Sequence, residues 1–364
     1  MKDRSQKSLA LKYVVGKRWF PQLEVEIESK IVTSKSKESL TDIDLLALAP
    51  DDFDGLRTIY FDCKTKKNES PIGRVFWLRG LIEARHASHG FCILKNKNLV
   101  RDHRYAASEL GITLLAEDEF SSFSSVMGVD IKRFEANIAN IDLWDIFNEI
   151  KKKYPTLGEG IDFSRYNFWQ CTSDAEACRK TLAVSLRLSQ ELNPSKKEHL
   201  CLVADLASLL MVSISTISNK IFAAYLHPPQ EETLSEALLI LLYGGKESYE
   251  YRNNLIKIIK KQRGQEEQIG TLSPPQWPMF TQLVRHCLDS PLEASKVPLL
   301  LREIAWSFLS PNADMAFAKK IMKENRNAGK LSIVAISYLC KASKLPPEFN
   351  EMLCQILLSL QEAP

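Results

Sequence analysis

The first 125 or so residues switch repeatedly between helical and strand periodicity. Between 7 and 20 the apolar positions Leu9, Leu11, Val14, Val15 and Trp19 recur at helical spacing and predict a helix. From Leu23 to Val32 the residues Val25, Ile27 and Ile31 alternate with Glu24, Glu26 and Glu28, the period of two of a half-buried strand. DIDLLALA (42–49) and RTIYFDCK (57–64) predict two more strands. The PDDFDGL between them carries Pro50 and the pair Asp54-Gly55, which is turn chemistry. IGRVFWLRGLIEAR (72–85) predicts a helix with Ile72, Val75, Phe76, Arg79 and Ile82 along one side. GFCIL (90–94) follows as a short buried strand, VRDHRYAASEL (100–110) as a helix, and ITLLA (112–116) as a last strand. The predicted order is αβββαβαβ.

From about 129 onward the strand signals vanish. Periodic apolar stretches such as IDLWDIFNEIKKKY (141–154), FTQLVRHCL (280–288) and LSIVAISYLCKAS (331–343) are punctuated by Pro and Gly, and no repeat period recurs. The expected fold class is therefore an α/β N-terminal domain over 1–125, a central mixed sheet flanked by helices, followed by an all-α helical domain over 129–364. The longest apolar stretch, 200–224, nearly reaches a bilayer span. Its Asp205, its Ser and Thr residues and the pair Asn219-Lys220 predict a buried core helix and no membrane partner.

Composition changes this picture little. With 364 residues, 45% hydrophobic and 26% charged, the chain has the make-up of an ordinary globular protein of two domains. A net charge of +3, spread evenly over both halves, argues neither for nor against a nucleic-acid partner. The basic start lacks an uninterrupted apolar run and a cleavage site, so no signal peptide is expected. Eight scattered cysteines without a CxxC pair predict reduced, buried thiols in a cytoplasmic protein. His86 and His89 lie close together but lack the partners of a zinc site.

The candidate chemistry sits on the two central strands. If 42–49 and 57–64 pair as a hairpin symmetric about Phe53, Asp44 falls opposite Asp62, with Cβ atoms about 4.5–5.5 Å apart. Two carboxylates that close repel unless a cation lies between them, and a hard divalent ion takes such oxygen ligands. Lys64 shares a strand face with Asp62 and brings an ammonium to the same spot, while Cys63 points the other way.

These residues carry a resemblance. Asp44 within TDIDLLAL, followed by YFDCK with Asp62 and Lys64, resembles the signature of the PD-(D/E)XK, or restriction-endonuclease-like, nucleases. The later succession of helix, GFCIL, helix and LGITLLAEDEF is similar to the Mrr-like and DNA-repair-nuclease branches. The resemblance covers residues of about 5 to 125 and none of the helical half. It implies a metal-dependent nuclease that hydrolyses phosphodiester bonds, a DNA endonuclease in first place, in restriction or anti-phage defence. Asp44, Asp62 and Lys64 would be catalytic, with Asp44 and Asp62 the ligands of Mg²⁺ or Mn²⁺. The expected partner is nucleic acid, DNA favoured over RNA. The helical domain would serve recognition, regulation or assembly, as a homo-oligomer or with a regulatory protein. Many such nucleases add a Glu on the first helix. Here no acidic residue lies between Gln6 and Phe20, and Glu24, Glu26 or Glu28 are the substitutes on offer. That departure keeps open a second reading, a catalytically inactive module that binds nucleic acid or a protein.

Lys66 and Lys67 extend the basic end of the strand and either touch phosphates or form a solvated turn. Arg74, Arg79 and Arg85 on the following helix, and Arg104 on the later one, are either backbone-phosphate contacts or ordinary surface charge. KIIKKQRGQ (257–265) is either a nucleic-acid grip or a helix end. The aromatics of YNFWQC (166–171) either stack on bases or pack between the halves.

Overall fold

The structure, a computed structural model, describes residues 1–28, 39–51, 55–65, 70–95, 99–226, 230–262 and 272–362. Helix α1 (Arg4–Gly16) leads into β1 (Phe20–Glu28), β2 (Ser39–Asp51) and β3 (Gly55–Lys64). Then come α2 (Pro71–Arg85), β4 (His89–Leu94), α3 (Arg101–Glu109), β5 (Ile112–Ala116) and α4 (Glu117–Val126). The expected succession is present, with α4 as an addition that the pattern did not announce. The strands form one mixed sheet in the order β1-β2-β3-β4-β5. The β1–β2 and β2–β3 pairs are antiparallel, and β3–β4 and β4–β5 are parallel. Parallel neighbours need crossover connections, and α2 and α3 are those crossovers.

The β2–β3 ladder runs from Leu45↔Phe61 to Asp51↔Gly55, which is the register symmetric about residue 53. Residues 52–54 lie outside the described residues. Gly55 follows the turn at φ 78°, and a Cβ there would fall 2.2 Å from the Asn219 side chain, so only glycine fits this close approach. Below the sheet Tyr13 of α1 packs against Phe61, Phe91, Phe120 and Phe123, and Phe61 stacks on Phe91 at 4.6 Å between ring centroids. In α2 the buried positions are Val75, Leu78 and Ile82. Phe76, placed by its spacing on the apolar side, is instead 60% exposed.

The rest of the chain is helical: α5 (Ile141–Lys153), α6 (Gly158–Arg165), α7 (Asp174–Leu188), α8 (Lys197–Tyr225), α9 (Glu231–Leu242), α10 (Lys246–Gln262), α11 (Trp277–Asp289), α12 (Pro291–Ala294), α13 (Val297–Ser307), α14 (Ala316–Glu324), α15 (Arg326–Ala342) and α16 (Pro347–Glu362). Helix α8 is long and apolar enough to cross a membrane, but 94% of its apolar window is buried. It packs against α7, α11, α13 and α15 in the middle of the helical half.

The two halves meet along β1. Arg302 of α13, fully buried, donates from Nη1 to the Pro21 carbonyl and to Gln22 Oε1, both at 2.9 Å. Its Nε donates to Asp205 of α8 at 2.6 Å, and Ser164 of α6 hydrogen-bonds the same carboxylate. Phe168 and Trp169 pack together, and Trp169 lies against Phe20 of β1. Of the two readings of YNFWQC, these rings follow the one in which they pack between the halves. All eight cysteines are free thiols, with only Cys171 and Cys354 partly exposed.

Candidate functional site

Because Leu45 pairs with Phe61, the next residues along the same register are Asp44 and Asp62. Leu23↔Leu45 and Val25↔Ile43 likewise bring Glu24 of β1 opposite Asp44. Three carboxylates therefore stand in a row across β1, β2 and β3, and basic side chains alternate with them. Lys7 of α1 lies between Glu24 and Asp44, with Nζ 3.0 Å from Glu24 Oε1 and 2.9 Å from Asp44 Oδ1. Lys64 lies between Asp44 and Asp62, 3.1 Å from Asp44 Oδ2 and 3.5 Å from Asp62 Oδ1. Arg74 of α2 closes the row with a two-pronged bond to Asp62, Nε to Oδ2 at 2.8 Å and Nη2 to Oδ1 at 2.6 Å.

Local structure holds each member in place. The Cys63 N–H donates to Asp44 Oδ2 at 2.8 Å, so a side chain takes up the backbone donor just beyond the last paired residues of the ladder. At the start of α1 the Asp3 carboxylate accepts from the Thr65 N–H at 2.8 Å and also from its hydroxyl. This anchors the helix to the end of β3 and delivers Lys7, one turn later, to Asp44. Ser70 caps α2 by accepting from the Gly73 N–H, and Pro71 opens the helix, so Arg74 leaves the first turn toward Asp62. The Arg74 guanidinium also lies over the Trp77 ring at 3.9 Å. Glu24 has φ 54°, a left-handed conformation that is uncommon for a non-glycine residue in a strand.

Burial sets the electrostatics. Asp44 and Asp62 are each 2% exposed and Lys7 is 1% exposed. Burial works against the Lys7 ammonium, yet Asp44 and Glu24 hold its pKa above the ordinary lysine value. Lys64 behaves alike under the pull of Asp44 and Asp62, and it stays protonated at neutral pH. Burial pushes the Asp62 carboxyl up, outweighing Arg74 and Lys64, and the Asp44 charge adds to that rise. The Cys63 thiol, fully buried behind the row, is raised well above its ordinary value and is an inert packing group.

Asp44, Asp62 and Lys64 are thus brought together as expected. Arg74, offered as a nucleic-acid contact, is bonded to Asp62 and lies over Trp77. Lys66 and Lys67 lie outside the described residues. Arg79 pairs with Glu83, Arg104 with Glu119, and Arg85 donates to the Glu28 carbonyl. His89 is hydrogen-bonded to Thr113, while His86 caps the end of α2.

Sequence reasoning missed Lys7. The available signal was its spacing: Lys7, Leu11 and Val14 share the buried face of α1, where a lysine needs a partner. Of the three glutamates offered as substitutes, Glu24 is the one in the row.

Among the described residues no three His, Cys, Asp or Glu side chains are grouped as a metal site. Asp44 and Asp62 nonetheless supply hard oxygen donors, and the single Lys64 ammonium reaches both. The donor set therefore suits a hard divalent ion in kind. The charge already present is the departure, since Glu24, Asp44 and Asp62 are matched one for one by Lys7, Lys64 and Arg74. A cleft of about 780 Å³ lies elsewhere, between α2, α6 and α7, lined among others by Arg85, His86, Asn167, Lys180 and Arg187. Comparison with protein-family models, with curated proteins and with solved structures finds no match to this chain.

Proposed function

We propose that the N-terminal half is a metal-dependent nuclease of the PD-(D/E)XK kind that hydrolyses phosphodiester bonds, with DNA the favoured substrate. The observation that carries this reading is the Lys64 ammonium lying within 3.5 Å of both the Asp44 and the Asp62 carboxylates. The mixed sheet, antiparallel over its first three strands and parallel over its last three, supports it.

Asp44 and Asp62 are the residues that would hold Mg²⁺ or Mn²⁺. Such an ion supplies Lewis-acid activation of water and of a phosphate oxygen. The chain's own contribution is electrostatic and positional. Lys64, 20% exposed and held protonated, is the member that can reach a phosphate and neutralise charge developing on it. Its ammonium, held protonated by Asp44 and Asp62, is placed as a charge stabiliser. Arg74 orients Asp62 and favours its ionised form, and Cys63 fixes Asp44 through its N–H. The helical half, bonded to β1 through Arg302, would recognise the target, regulate the nuclease or assemble copies of it, in a cytoplasmic defence role.

A second reading rests on the charge balance of the row. With Lys7 on Asp44 and Arg74 on Asp62, the module would bind nucleic acid or a protein without cutting. A chelator separates the two readings. Plasmid, linear duplex, single-stranded DNA and RNA are incubated with the protein and Mg²⁺ or Mn²⁺, with and without EDTA. Cleavage that EDTA abolishes supports the nuclease. Retention of nucleic acid without cleavage, indifferent to EDTA, supports the binder.

A further inference from the structure

We propose that Lys7 is a tethered cation that competes with a divalent metal ion for Asp44, and that Glu24 decides how strongly it competes. The inference rests on the metal-dependent reading of the row and deepens it.

Lys7 sits at the depth of Asp44, beyond the reach of a substrate, and its ammonium is shared between two carboxylates at 2.9 and 3.0 Å. With Lys64 and Arg74 in place the three carboxylates of the row have no surplus negative charge. A divalent ion entering it would leave an uncompensated double charge in a buried place, which is strongly unfavourable. Removing the Lys7 charge returns one unit of negative charge beside Asp44. The ammonium thus sets the affinity of the site from inside the fold.

Glu24 differs from the other two carboxylates. It is 28% exposed and can turn toward solvent, and its left-handed backbone in mid-strand is the kind of held strain found at functional positions. On its far side Arg165 of α6, fully buried and stacked over Trp144, lies 3.9 Å from Glu24 Oε2. Glu24 therefore stands between a cation of α1 and a cation of the helical half. When it holds Lys7, less of the ammonium's charge falls on Asp44. A shift of α6 that moves Arg165 alters that share, which gives the helical half a physical route to the site.

The test is Mn²⁺ binding by the full chain, followed by electron paramagnetic resonance, for wild type, Lys7→Met, Lys7→Arg and Glu24→Gln. Lys7→Met is expected to bind Mn²⁺ about tenfold more tightly or better. Lys7→Arg keeps the charge and matches wild type. Glu24→Gln removes a negative charge and returns Lys7 to Asp44, so it binds more weakly. Opposite shifts in the two neutralising variants are not what loosened packing produces. Lys7→Met binding no tighter than wild type overturns the proposal. Should Lys7→Met fail to fold, the partly exposed Glu24→Gln carries the test, and unchanged or tighter binding overturns it. Equal binding by all four leaves the metal reading intact and removes only the role of Lys7. No binding by wild type or Lys7→Met removes both.

Discussion

Arg74 grips Asp62 with two hydrogen bonds, at 2.8 and 2.6 Å, while its guanidinium lies on the Trp77 ring. Asp62 is 2% exposed, so this fork is the main force opposing its burial. Its carboxyl still lies above the ordinary aspartate value, so on the nuclease reading the acid limb of a pH–rate profile is expected to report this group. Arg74→Ala removes the fork and raises the pKa further. The acid limb is then expected to move toward alkaline pH, with part of the activity regained at high pH. A profile that falls in height without moving along the pH axis would contradict this role.

Asp205 and Arg302 illustrate how the helical half is secured. Both side chains are wholly buried, and Arg302 also holds Pro21 and Gln22 of β1. Asp205→Ala leaves a buried guanidinium without its carboxylate and is expected to cost about 3–5 kcal/mol. The double replacement Asp205→Leu with Arg302→Met, which removes both charges, is expected to cost much less. Urea unfolding of the three proteins checks this. Equal destabilisation by the single and the double change would show that the pair is not the determinant.

Glu303 of α13 ties down the segment that joins the halves. Its buried carboxylate accepts from the Asn137 and Ile138 N–H groups and from Asn137 Nδ2, each at 2.9 Å. Burial nevertheless pushes its carboxyl up to about 7 from 4.5. The folded chain therefore holds a proton between these values that the unfolded chain has released. The stability linked to this group is full below pH 4.5 and is lost as pH rises through 7, by about 3 kcal/mol. Glu303→Gln is expected to flatten that dependence. An unchanged slope of stability against pH between 4.5 and 7 would assign it to another group.

The core of the row was legible because strand geometry converts spacing into proximity. A register symmetric about position 53 is enough to bring Asp44 to Asp62, and period two brings Lys64 with it. Lys7 was not legible as a partner, since its approach depends on how Asp3 anchors α1 to Thr65, a contact between chain segments far apart. The partner of Arg74 was not legible either. Its fork reaches back to Asp62 across the β3–α2 connection, which periodicity does not encode. Arg165, Asp205 and Arg302 lie inside helical stretches where only tertiary packing decides whether a charge is buried. Helices α6 and α14 have only 8 and 9 residues, too few turns for a period to stand out from the neighbouring sequence.

The measurement that bears most directly on the central claim is the initial rate of DNA cleavage with Mg²⁺ by wild type, Asp62→Ala and Lys64→Ala under identical conditions. Lys64 is partly exposed, so its alanine variant is expected to stay folded. Cleavage by wild type is expected, with loss of about a hundredfold or more in both variants and circular dichroism of Lys64→Ala unchanged. Cleavage by all three at the same rate would contradict it and remove the row of Asp44, Lys64 and Asp62 from the chemistry.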